Sequence, residues 1–169
     1  MTLFSVVLPF YEAASTLGKA VASVRAQTFE DWELVLVDDG STDGGGELAR
    51  RLELEDSRIK LVGLPHGGIV KALNAGVDVA GGQYIARMDA DDVCLPKRLA
   101  KQATYLQMHP DVGLVSCLVE HVGTMASQKG YAEYVRWINT LLEPEAIALQ
   151  RFVESPFAHP SVMFRRELV

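Results

Sequence analysis

Positive charge is scarce in this chain and nowhere clustered. Sixteen Lys and Arg face 22 Asp and Glu, for a net charge of −6 over 169 residues. That balance argues against non-specific nucleic-acid binding, which needs Lys/Arg-rich faces. An anionic ligand must instead meet local positive charge, a bound metal or a helix N-terminus. Cysteine is scarcer still. Cys94 and Cys117 lack the spacing of a metal or redox pair and read as reduced core thiols. No apolar run approaches the ~18 residues of a membrane span. The opening MTLFSVVLPF lacks the basic start and small-residue cleavage site of a secretion signal, so a cytoplasmic location is expected. A P-loop, a G-x-G-x-x-G after the first strand, a G-x-S-x-G elbow and Cys/His zinc spacing are all missing. Their absence removes P-loop kinases, NAD oxidoreductases and serine hydrolases.

What the chain does have is a regular alternation. Its composition, 49% hydrophobic and 22% charged, is ordinary for a globular protein, and its length suits one domain, 1–169. FSVVLPF (4–10), WELVLVDD (32–39), RIKLVGL (58–64), GGQYIARMD (81–89) and VGLVSCL (112–118) are short apolar runs that predict buried strands. Helical patterns lie between them. Leu17, Val21 and Val24 form one. Leu48 and Leu52 follow N-cap oxygens offered by Ser41, Thr42 and Asp43. Ile69, Leu73, Gly76 and Ala80 share a face. Leu99, Ala103 and Leu106 follow Pro96, which suits the first helical position. Strands that do not alternate, each followed by a helix, predict an α/β fold: a Rossmann-like α/β/α sandwich with a mainly parallel central sheet. After residue 118 the rhythm changes. YAEYVRWINTLL and PEAIALQRFV read as helices and HPSVMF as a late strand. The ending FRRELV carries no stop signal and resembles the start of a helix, as in a chain that continues.

In an open parallel sheet, ligands bind at the carboxyl ends of the strands. Three polar clusters fall there: PFYE (9–12), DDGSTD (38–43) and DADD (89–92). DDGSTD is also what a turn and helix cap require. DADD is harder to explain as a turn alone, because Asp89, Asp91 and Asp92 repel one another and resist desolvation. A divalent cation offsets both costs, and alternate aspartates on an extended chain make a hard-oxygen site for Mn²⁺ or Mg²⁺. Such a site shares its metal with substrate phosphates, which favours a nucleoside diphosphate.

The stretches VVLPFYEAASTLGKAVASVRAQTFEDWELVLVDDGSTDG and HGGIVKALNAGVDVAGGQYIARMDADD resemble glycosyltransferase family 2, with its GT-A fold. The similarity runs from about residue 3 to 108, the nucleotide-binding part, and returns at PFAHPSVMFRREL (156–168) in an acceptor-side part from about 109 to 169. The resemblance implies transfer of a sugar, with inversion, from a nucleotide-sugar donor, usually UDP-linked, assisted by Mn²⁺ or Mg²⁺. It implies a saccharide or lipid-linked acceptor in cell-surface polysaccharide, lipopolysaccharide or glycoprotein assembly, with peripheral association at the inner face of a membrane. It further implies that Pro9 and Phe10 border the base through backbone and ring contacts, with Glu12 nearby. Asp39 would accept from the base, supported by Asp38. Asp89 would face the ribose or a metal-bound water. Asp91 would bind the metal on the diphosphate, with Asp92 a further ligand. Lys71 would neutralise phosphate, or belong to a solvated helix face.

Inversion needs one general base, and here the family pattern gives no single residue. Glu154 and His159 are the candidates, with Glu120 behind them; His159 titrates near neutrality by default and could equally orient phosphate or pack. YVRWIN (134–139) lacks the Gln of the processive Q-x-x-R-W signature, so single-sugar transfer is expected. Two other readings stay open. A nucleotidyltransferase would want a Gly/Arg/Lys-rich segment where YEAASTLGK stands. A catalytically weak or inactive nucleotide-sugar-binding domain would keep the fold and lose turnover. A phosphohydrolase would need an Asp nucleophile where Phe10, Tyr11 and Glu12 stand.

Overall fold

The computed structural model of the chain describes residues 3–123 and 129–169. Its six strands are β1 (Phe4–Phe10), β2 (Trp32–Asp38), β3 (Ile59–Gly63), β4 (Tyr84–Arg87), β5 (Leu114–Val115) and β6 (Met163–Arg165). They form one sheet in the order β3-β2-β1-β4-β6-β5. The first four are mutually parallel, and β6 runs antiparallel between β4 and β5. The helices are α1 (Leu17–Arg25), α2 (Gly45–Glu55), α3 (Ile69–Val79), α4 (Arg98–Met108), α5 (Lys129–Ile138) and α6 (Pro144–Gln150).

Strand period decides which side chain goes where. Phe4, Val6, Leu8 and Phe10 of β1 enter the larger core with Leu17 and Val21 of α1, Ala49 and Leu52 of α2, and Leu99, Ala103 and Leu106 of α4. Val7 and Ile85 face the other way, toward Leu73 and Val77 of α3, as do Val35 and Val37, which meet Ala72. Helices therefore cover both faces, as the apolar strands predict.

Several boundaries differ from expectation, each for a local reason. Helix α2 starts later, with Gly44 at the N-cap in a left-handed conformation (φ 92°). The Asp43 carboxylate accepts the Gly45 N–H at 2.9 Å, while Ser41 and Thr42 bond to Glu12 instead. Pro96 precedes the N-cap of α4, Lys97. On α3 the buried positions are Ala72 and Gly76, and Ile69 is half exposed. Strand β5 keeps two residues of the expected seven. There, side chains replace the ladder: Gln102 Nε2 donates to Ser161 O at 2.8 Å and to Val115 O, and the Ser116 and Ser161 hydroxyls meet at 2.6 Å. HPSVMF yields only β6, because Pro160 lies in a single 3₁₀ turn, His159–Ser161, and has no N–H for a ladder.

Candidate active site

Parallel pairing puts the carboxyl ends of β2, β1 and β4 on one edge, with β1 in the middle. At normal strand spacing the ends of β2 and β4 are about 10 Å apart. The loops that leave them carry all three polar clusters.

On the β1–β2 side, side chains strap the loops together. Glu12 adopts a left-handed backbone (φ 51°); its carboxylate accepts the Thr42 N–H at 2.7 Å and its own N–H donates to Ser41 Oγ at 3.1 Å. Asp43 takes the Ala14 N–H at 2.7 Å. Asp39 is buried and fixes the β3–α3 loop: Oδ1 accepts the Gly67 N–H at 2.9 Å, Oδ2 the Gly68 N–H at 2.8 Å, and His66 Nδ1 lies 2.9 Å from Oδ2. Burial pushes this carboxyl up, but the Gly68 and Gly67 donors and His66 outweigh it, and the acid lies below the usual range. Asp38 accepts the Ser41 N–H at 2.9 Å. It also lines a cavity of about 330 Å³ with Ser41, Arg50 and Glu53; Asp89, Asp91 and Asp92 lie outside that cavity. Lys71 is exposed above this loop, its Nζ 3.5 Å from Pro65 O.

The ring expected of Phe10 is in the core, 4% exposed, because strand alternation aims residue 10 with residues 4, 6 and 8. Pro9 is buried as well. Their contribution at the rim is backbone: Phe10 O accepts the Asp39 N–H at 2.9 Å. The ring offered at the rim is Tyr11, half exposed and stacked on His66 with centroids 4.2 Å apart. Sequence reasoning passed over both Tyr11 and His66. The alternation signals Tyr11; nothing local signals His66, whose partners lie 27 residues upstream or more.

On the β4 side, Asp89–Asp92 form a turn, closed by the Asp92 N–H on Asp89 O at 3.3 Å, where an extended segment was expected. The turn gathers all three acids: carboxylate oxygens of Asp89, Asp91 and Asp92 lie within 4.8 Å of one another. Burial, then Asp91, push the Asp89 carboxyl up against the pull of Arg87. Burial, Asp89 and Asp91 push Asp92 up likewise. Three acids so placed, two of them resisting ionisation, fit a divalent cation. Arg87, also passed over, forms a two-pronged pair with Asp89 at 2.9 and 3.2 Å.

The later segment supplies neighbours to this turn. His159 is exposed, and in its charged form it would pull the Asp89 carboxyl down. Tyr131 of α5 feels Asp92, Asp89 and Asp91. Tyr134 O–H donates to Ser155 O and Phe157 O at 3.0 and 3.1 Å, tying α5 to the segment before His159. Glu154 is exposed and accepts its neighbour's N–H, from Ser155, at 2.9 Å.

This sheet, with its acidic turn after β4, is the architecture of the GT-A glycosyltransferases, and the chain belongs to glycosyl transferase family 2, which matches residues 5–169. EpsE of Bacillus subtilis (strain 168) is 32% identical over 163 residues, 95% of this chain and 55% of EpsE. WfgD of Escherichia coli, a UDP-Glc:alpha-D-GlcNAc-diphosphoundecaprenol beta-1,3-glucosyltransferase, is 35% identical over 105 residues, 62% of this chain and 41% of its own. The mannosyltransferase PcManGT from Pyrobaculum calidifontis, solved with GDP-Man and Mn²⁺, shares the fold at TM-score 0.72 and 25% identity, over 98% of this chain and 45% of its own. The chain spans about half or less of the curated relatives it matches. Among the described residues, no helix is long and apolar enough to cross a membrane.

Proposed function

We propose that this chain is the donor-binding catalytic part of a metal-dependent, inverting glycosyltransferase. It moves one sugar from a nucleoside diphosphate, UDP first among them, to a saccharide or lipid-linked acceptor in cell-surface polysaccharide synthesis. The observation that carries the reading is the convergence of Asp89, Asp91 and Asp92 within 4.8 Å on the strand edge that also holds Asp38, Asp39 and Glu12. The donor named for WfgD and the GDP-Man and Mn²⁺ bound to PcManGT support it.

The nucleoside would lie against the Tyr11–His66 stack and the Asp38–Asp39 backbone, with Glu12 bracing the loop. The diphosphate would reach toward Lys71 on one side and the acidic turn on the other. Asp91 and Asp92 would hold Mn²⁺ or Mg²⁺, which as a Lewis acid stabilises charge on the departing phosphate. The acceptor hydroxyl then needs a base on the opposite face of the sugar. His159, which follows the segment that Tyr134 ties to α5, is favoured over Glu154, whose carboxylate accepts the Ser155 N–H. Single displacement requires no enzyme nucleophile. A lipid-linked acceptor would bring the protein to a membrane surface.

A nucleotide-sugar panel scored by melting temperature with and without Mn²⁺ tests the reading. UDP-sugars should stabilise the protein, as ligands that bind only the folded state do, and Asp91→Ala should abolish the metal-dependent part. No nucleotide effect in either condition would end the proposal. Donor binding without transfer to any acceptor would favour a binding domain.

A further inference from the structure

We propose that Arg87 is a positioning residue that withholds Asp89 from the cation and leaves the metal to Asp91 and Asp92. The inference rests on the metal reading above. Arg87 is the last residue of β4, and its backbone is fixed on two sides. Its N–H donates to Val162 O at 3.0 Å, and its carbonyl accepts Arg98 Nη2 at 3.0 Å. From this anchored point Nη2 reaches Asp89 Oδ1 at 2.9 Å and Nη1 reaches Oδ2 at 3.2 Å. Both carboxylate oxygens are thereby engaged by one planar guanidinium, the strongest geometry for such a pair.

The Arg87 side chain is 14% exposed and the Asp89 side chain 33%, so the pair is only partly screened by water. Asp91 is exposed, and no ion pair involves Asp91 or Asp92 among the described residues. The charges also balance. Three carboxylates against one guanidinium leave two negative charges, which one divalent cation neutralises. A cation held by two carboxylates keeps its remaining positions open for water and diphosphate oxygens. A third carboxylate would take one of the roughly six positions, one otherwise open to water.

The test is Mn²⁺ binding, measured by titration calorimetry and by the electron-paramagnetic signal of free Mn²⁺, without substrate. The charge-balanced pair Arg87→Met/Asp89→Asn should change the Kd by less than about threefold, and Asp89→Asn alone, which leaves Arg87 unpaired, should weaken binding less than Asp91→Asn, which should weaken it by about tenfold or more, the range seen when metal-site partners are removed. Arg87→Met frees Asp89 and removes a nearby positive charge, so Mn²⁺ should bind about tenfold tighter, and adding Asp89→Asn should reverse the gain. Asp89→Asn alone decides the matter should Arg87→Met not fold. If Asp89→Asn weakens Mn²⁺ as much as Asp91→Asn does, or a folded Arg87→Met binds as the parent does, the inference is overturned. If the parent binds no Mn²⁺, the metal reading itself fails, a result distinct from either.

Discussion

Burial and the charges of Asp89 and Asp91 push the Asp92 carboxyl above the usual aspartate range. For an acid, a raised folded pKa means that the folded state holds its proton more tightly than the unfolded chain does. Ionised Asp92 therefore opposes folding once pH rises above the unfolded value of about 4. Asp92→Asn should raise the melting temperature in EDTA at pH 7 and change it little at pH 3. With excess Mn²⁺ the order should invert, because the parent gains binding free energy that the variant lacks. Asp39 has the opposite sign. Its lowered pKa contributes stability that is present above about pH 4 and lost as pH falls through the folded value. Asp39→Ala should release the 64–68 loop to proteolysis and weaken nucleotide binding without metal. Residue identities at the rim were legible because carboxylates at three strand ends are costly without a ligand. Their partners were not, since His66 and Gly67 reach Asp39 only through the folded sheet. Arg87 stands between the two cases: it is two residues before Asp89, so a strand reading places both on one face.

Helix α3 shows what an element can hide. The apolar period was readable, but small residues carry the contact. A Cβ on Gly76 would lie 2.5 Å from Val7 Cγ1 and 3.1 Å from Val37 Cγ2. In an exposed helix, Gly→Ala gains about 1 kcal/mol. Here the crowding of two β-branched side chains, at about 1–3 kcal/mol for an overpacked core, should win, and Gly76→Ala should lower the urea midpoint. Gly40 is constrained twice, by φ 81° and by a Cβ position 2.8 Å from His66 N, which fixes where the β2 loop meets the β3 loop. The boundaries of β5 and β6 differ from those the hydrophobic pattern predicts because Gln102, Ser116 and Ser161 satisfy backbone or one another through side chains.

Across the whole molecule, polar groups mark both ends of the sheet. At the amino end Glu33, 6% exposed, accepts Ser5 Oγ and the Gly81 N–H, each at 2.5 Å, and Lys60 Nζ at 2.6 Å. Burial pushes its carboxyl up, but Lys60, Ser5 and Gly81 bring it below the usual range. Its stabilising share is thus complete above about pH 4.5 and fades as pH falls below that. Glu33→Gln should cost about 1–3 kcal/mol at pH 7 by urea unfolding, and the gap to the parent should narrow below pH 4. The overall α/β layering was legible from the sequence because the central strands β1, β2 and β4 are buried on both faces. The insertion of β6 between β4 and β5 was not, because three residues of late strand carry no address.

That insertion also orders events at the ribosome. The four parallel strands can assemble as soon as β4 emerges, yet the outer edge of β4 lacks a strand partner until Met163–Arg165 arrive, and Leu114 and Val115 wait for the same three residues. For the whole interval the nascent sheet has an open border, the kind that recruits stray strands. A chaperone that shields the growing chain would have its greatest effect in this window.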